Sequence, residues 1–193
     1  QENTWQYQFE FKDRSSFAFG YKNYFIELQK DFDPTHINGQ YLPAGSTHHF
    51  GRAFVQYAST TKTMFNWTAE ASRGSFYNGE MQYAQGQFGY RYQPFINFAM
   101  NLHYTEIYLP EPFTRTKFWL AGPKMDVTFS ENIFWTTFVQ YNEQMDNMNV
   151  NMRFQWRYQP VSDLFLVYTD NYIPGTWNSR NRAIVMKITW WLN

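Results

Sequence analysis

The segment Asn149-Val150-Asn151-Met152-Arg153-Phe154-Gln155-Trp156-Arg157-Tyr158-Gln159-Pro160 alternates without a miss. Val150, Met152, Phe154, Trp156 and Tyr158 take one parity; Asn, Arg and Gln take the other. Successive side chains of a β-strand leave by opposite faces, so the segment has one apolar and one polar face. What covers the apolar face decides the fold: a second layer of polypeptide or hydrocarbon.

The same period recurs along the chain. Trp5, Tyr7, Phe9 and Phe11 alternate with Gln6, Gln8, Glu10 and Lys12, and Ile184, Met186, Ile188 and Trp190 with Val185, Lys187 and Thr189. No segment has a helical period. The pattern predicts about 11 strands, near 3–12, 15–29, 50–59, 62–71, 76–92, 95–108, 116–129, 132–143, 148–158, 161–171 and 182–193. In the second of these the apolar phase slips between Tyr21 and Tyr24, which predicts a bulge. Tight turns at Asp13-Arg14, Thr60-Thr61, Gln93-Pro94, Glu131 and Gln159-Pro160 alternate with longer links near 30–49, 72–75, 109–115, 144–147 and 172–181.

Composition narrows the options. The 193 residues fit one domain, 1–193, and 16 Lys+Arg against 16 Asp+Glu leave no net charge and no footprint for nucleic acid. There is no cysteine, hence no disulfide or thiolate chemistry. Aromatic residues make up 22% of the chain, yet mean hydropathy is −0.61. Aromatic wealth, low hydropathy and strands near the ~9–11 residues that cross a bilayer together describe a membrane barrel. The expected fold is therefore all-β: an antiparallel transmembrane β-barrel of the bacterial outer membrane, its C-terminus periplasmic, with lipid and lipopolysaccharide around it. An odd strand number implies either one strand more or fewer than the pattern shows or the C-terminal portion of a longer protein forming a larger barrel.

In that reading Val150, Met152, Phe154, Trp156, Ile184, Met186, Ile188 and Trp190 face lipid. Arg153, Arg157, Lys124, Asp126, Lys187, His103, Asn101, Glu10 and Glu70 face the lumen, as a paired plug or as the wall of a pore. Tyr92 and Tyr158, in the repeated Arg-Tyr-Gln-Pro, form part of an interfacial girdle. Tyr41 and Trp177, in the links, are candidates for stacking on a sugar.

The C-terminal third also resembles a known family. Trp156-Arg157-Tyr158-Gln159-Pro160, Leu164-Phe165-Leu166-Val167-Tyr168-Thr169-Asp170-Asn171 and the closing Lys187-Ile188-Thr189-Trp190-Trp191-Leu192-Asn193 are similar to the last strands of a Bacteroidota outer-membrane family. In that family a module resembling family 9 carbohydrate-binding domains precedes a barrel of uncharacterised function. The resemblance implies a larger parent protein, other outer-membrane or periplasmic partners, and a link to glycan handling. It supplies no catalytic residues.

Signals for chemistry are sparse. His36, His48 and His49 share a long link with Asp31 and Asp33, but no HExxH or comparable spacing accompanies them, and the link reads as a solvated polar loop with no metal or other cofactor. His103 lacks an alternating serine partner, and there is no G-x-S-x-G. The expected function is a non-enzymatic transport, anchoring or assembly component. The rivals are a barrel-embedded esterase or lipase using His103, and a soluble aromatic-rich carbohydrate-binding β-sandwich.

Overall fold

The computed structural model describes residues 1–35 and 39–192. Eleven strands follow in order: β1 (Glu2–Glu10), β2 (Ser16–Glu27), β3 (Thr47–Ala58), β4 (Phe65–Phe76), β5 (Gly79–Tyr92), β6 (Ile96–Tyr108), β7 (Thr116–Ser130), β8 (Ile133–Asn142), β9 (Asn147–Gln159), β10 (Ser162–Ile173) and β11 (Asn178–Ile188). They form one sheet in which each strand is hydrogen-bonded to its neighbours in the chain, from β1 at one edge to β11 at the other. No helix among the described residues is long and apolar enough to cross a membrane.

The sheet corrects the central expectation. A barrel closes when its first and last strands pair; here β1 pairs with β2 and β11 with β10, and both remain edges. Hydrocarbon offers no partner for the N–H and C=O groups of such edges, so an open sheet is not a bilayer-spanning structure. The transmembrane barrel, its outer-membrane location, and the lipid and lipopolysaccharide partners all depended on closure and fall with it. Alternation had specified strands with two unlike faces. It carries no information on whether the ends of the sheet meet.

The predicted bulge in β2 is also absent. Register runs unbroken from Ser16 to Glu27 against β3. The apolar phase slips because β2 is apolar on both faces. Phe17, Phe19 and Tyr21 share one face with Phe9, Tyr7 and Trp5 of β1, while Tyr24 on the other packs against Phe50 with ring centroids 5.2 Å apart.

Contacts divide the chain into two units, residues 1–61, 67–86 and 103–119 in the first and 62–66, 87–102 and 120–193 in the second. The first has a core of Leu28, Leu42, Met81, Ile107, Leu109 and Phe113. Leu28, Leu42, Leu109 and Phe113 come from the links after β2 and β6, which fold back onto strand residues. The long link after β2 is thus not simply a solvated polar loop: Leu42 is buried, and Phe32 and Leu42 exchange two backbone hydrogen bonds of 3.0 and 2.8 Å. In that link the Asp31 carboxylate accepts from the Ala44 N–H, and Asp33 from the N–H and hydroxyl of Thr35. No group of three potential metal ligands occurs among the described residues, and His36 lies outside them.

In the second unit the apolar parity of β9 continues across its neighbours. Trp156 lies opposite Leu164 and Leu164 opposite Ile188; Phe154, Leu166 and Met186 form the next row, and Met152, Tyr168 and Ile184 the third. The fourth row breaks the pattern, with Val150, Asp170 and Arg182. Asp170 is fully buried, and its carboxylate accepts from Ser179 Oγ at 2.6 Å, Arg182 Nε at 2.6 Å and the Tyr168 hydroxyl at 2.8 Å. Burial by itself would raise its pKa. The hydrogen bonds from Ser179, Arg182 and Tyr168 outweigh burial and hold the carboxyl well below the usual carboxylate range.

Candidate functional site

The first unit carries a groove built by strand parity. On β3 and β4, Ala53 lies opposite Arg73 and Val55 opposite Ala71, on the same face as Tyr21 and Phe19 of β2. On β5, Tyr83 and Gln85 point to the other face, where they join Glu70, so Gln82 and Ala84 share the face of Ala53. Three alanine methyls on three adjacent strands leave a depression that larger side chains would fill. The result is an open trough of about 510 Å³, lined by Ala53, Val55, Ala71, Arg73, Gln82, Ala84 and Tyr104 among others.

Aromatic rings flank the trough. On one side Tyr21, opposite Ala53, brings its ring over Gly51, where a Cβ would sit 2.6 Å from its Cζ, so only glycine admits the ring in this position. On the other, Tyr104 packs against Trp119 with centroids 4.7 Å apart and planes at 48°. Partial burial, and then a hydrogen bond to Glu106, push the Tyr104 phenol above its ordinary pKa, so it remains a neutral hydroxyl at physiological pH.

Gln82 also lines a second, smaller hollow of about 190 Å³ with Glu80, Glu106, Tyr108 and Arg115. Arg115 donates from Nε to Glu106 Oε1 at 2.6 Å, and Arg73 lies 3.7 Å from Glu80. Two guanidinium groups and two carboxylates therefore pair along the groove, leaving it rich in hydrogen-bonding groups and without net charge.

The opposite face of the same strands is polar and internally bonded. Lys22 Nζ lies 3.4 Å from Glu70, Gln85 donates to Glu70 at 3.1 Å, and the Tyr83 hydroxyl donates to Gln85 at 2.8 Å. That hydroxyl is also 3.0 Å from His103 Nδ1. His103 thus meets a tyrosine where an esterase would need a serine.

The other residues singled out from sequence are dispersed. Lys124 pairs with Asp126 at 3.1 Å, and Arg157 lies 3.7 Å from Asp163 and over the Phe134 ring. Arg153, Lys187, Asn101 and Glu10 are exposed. The open sheet leaves these polar groups no lumen to line. Of the apolar set, Val150 is buried beside the Asp170 cluster, Met152 and Phe154 are half-buried, and Trp156, Ile184, Met186, Ile188 and Trp190 are exposed. Tyr158 donates to the Thr189 carbonyl at 2.7 Å, and Tyr92 packs on Phe95. In the links, Tyr41 is exposed and Trp177 packs edge-on to Tyr172.

Comparison with known proteins gives no relative: no family model, curated protein or solved structure matches the chain. The resemblance to the Bacteroidota outer-membrane family is thereby withdrawn. Its quoted segments are short aromatic strands, a pattern that alternation alone produces, and the open sheet lacks the barrel that defines the family.

Sequence reasoning missed the groove. Its floor consists of alanines, which carry no chemical signal, and only the register of β3, β4 and β5 brings Ala53, Ala71 and Ala84 together. Tyr104 and Glu106, at i and i+2 on one strand face, are the trace it leaves in the sequence.

Proposed function

We propose that this chain is a non-enzymatic glycan-binding protein whose site is the groove across β3–β6. The observation that carries the reading is the alanine-floored trough set beside the Tyr104–Trp119 ring pair, with Arg73, Gln82, Glu80, Glu106 and Arg115 along its length. Sugar rings present C–H faces and outward hydroxyls. An aromatic wall supplies the apolar contact, and planar guanidinium, amide and carboxylate groups exchange hydrogen bonds with the hydroxyls. Uptake into an apolar concavity with a few placed polar groups is binding chemistry. At the His103 contact the Tyr83 hydroxyl donates to Gln85, and partial burial together with the charge of Glu70 pushes its phenol above the ordinary value. A phenol held protonated in this way is not an activated nucleophile, which supports the non-enzymatic reading.

Calorimetric titration with a panel of soluble glycans tests the proposal. At least one glycan binds, and Tyr104→Ala weakens that binding tenfold or more, about 1.4 kcal/mol, with the far-ultraviolet spectrum unchanged. Trp177→Ala, remote in the chain from the groove, leaves the affinity unchanged. If no member of the panel binds, or if the protein cleaves ester substrates in a His103-dependent manner, the proposal fails.

A further inference from the structure

The trough and the smaller hollow share Gln82 and lie end to end along β5. From Ala84 at the floor of one to Glu80 at the wall of the other is four residues, roughly 13 Å at strand rise. Parity places Tyr104 and Glu106 in the same sequence on the adjacent β6. A single sugar ring cannot reach both hollows, whereas a short chain of rings follows the strand from one to the other.

We infer, resting on the glycan-binding reading, that the groove holds a linear, uncharged oligosaccharide across two consecutive subsites. The first is apolar, with the ring of one sugar over the alanine floor against Tyr104. The second is polar, with the hydroxyls of the next sugar meeting Gln82, Glu80, Glu106 and Arg115. Glu106 joins the two, through Tyr104 on one side and Arg115 on the other.

Charge selects the ligand class. Each cation in the groove already faces a carboxylate: Arg115 has Glu106 and Arg73 has Glu80. A uronate or sulfate brings a charge that those carboxylates repel, and an aminosugar one that the guanidinium groups repel. Hydroxyl groups instead add to the pairs, because a guanidinium has five N–H donors and a carboxylate about four acceptor sites. Neutral sugars are therefore favoured.

Titration of size ladders from one to six units tests this, using four neutral linear glycans (β-1,4-glucan, α-1,4-glucan, xylan and mannan) and an oligogalacturonate ladder. For the neutral glycan that binds, affinity rises at least tenfold between one unit and three and then levels off. The oligogalacturonate of equal length binds at least tenfold more weakly. Arg115→Ala, at an exposed position, removes the gain from the added units, whereas Tyr104→Ala weakens every rung, the single sugar included. Circular dichroism and melting temperature confirm that both variants fold. Equal affinity for one and three units, stronger binding of the oligogalacturonate, or an Arg115 variant with the wild-type ladder overturns the two-subsite assignment while glycan binding stands. Failure of every ladder overturns the binding reading as well.

Discussion

Val161 occupies a backbone conformation that its side chain disfavours. It follows Pro160 in the tight turn between β9 and β10, with φ at 61°. Proline at the second position of a turn and a positive φ at the third describe a type II turn, for which glycine is the natural third residue. A β-branched residue in the left-handed region costs about 1–2 kcal/mol, partly offset by the greater unfolded-state freedom of glycine. Val161→Gly is expected to stabilise the protein by up to about 1 kcal/mol in urea melts, with no change in the dependence on denaturant. Asp170 is the other residue of consequence. Its carboxyl pKa is depressed on folding, so its contribution to stability is complete above pH ~4, the unfolded value, and is lost as pH falls below it. Tyr168 shifts the opposite way: hydrogen bonds to Tyr172 and Asp170 push its phenol up to about 12. Folding thus favours the protonated phenol, and that contribution is present below pH ~10 and is lost as pH rises from there towards 12. Melting temperature should be flat from about pH 5 to 9 and fall on both sides, with Tyr168→Phe reducing the alkaline fall. The cluster left a partial trace in sequence. Tyr168, Asp170 and Tyr172 stand at alternate positions, but Ser179 and Arg182 join them from β11 across an irregularity in register that no local pattern announces.

Among the elements, β1 shows how closely strands approach where a side chain is missing. A Cβ on Gly20 of β2 would lie 2.2 Å from the Trp5 carbonyl oxygen and 2.9 Å from the Gln6 Cα, both backbone atoms of β1. Neither can turn aside as a flexible side chain would. Gly20→Ala is therefore expected to push β1 from β2, and hydrogen–deuterium exchange should show lost protection from Glu2 to Glu10 while β8–β10 keep theirs. The strands themselves were legible. Alternation found all eleven, and the turns at Asp13-Arg14 and Gln159-Pro160 fall where expected, but β4 runs to Phe76 through the link expected at 72–75, and β11 spans Asn178–Ile188 rather than 182–193. Register was not, because it depends on pairing across strands, and β2 misled for the same reason: two apolar faces resemble one face that has slipped.

At the scale of the molecule, the core of the first unit forms where links return to strands. Leu109, 2% exposed, sits among Leu28, Leu42, Met81, Ile107 and Phe113. Leu109→Ala should destabilise this unit by about 2–5 kcal/mol, from lost transfer energy and the cavity left behind. Denaturant unfolding followed by tryptophan fluorescence measures it. The links were unreadable as core from sequence, because Leu28, Phe32 and Leu42 are spread through a stretch rich in Asp, Gly and Pro. Closure was unreadable as well, since a strand with two unlike faces serves an open sheet as well as a barrel.

The uninterrupted order β1 to β11 has a kinetic corollary. Every pairing joins segments adjacent in the chain, so the entropy of each closure is that of a single link, short except for 28–46 between β2 and β3, and no strand waits for a distant one. Assembly can advance hairpin upon hairpin as the polypeptide is synthesised, each new segment templated by the last.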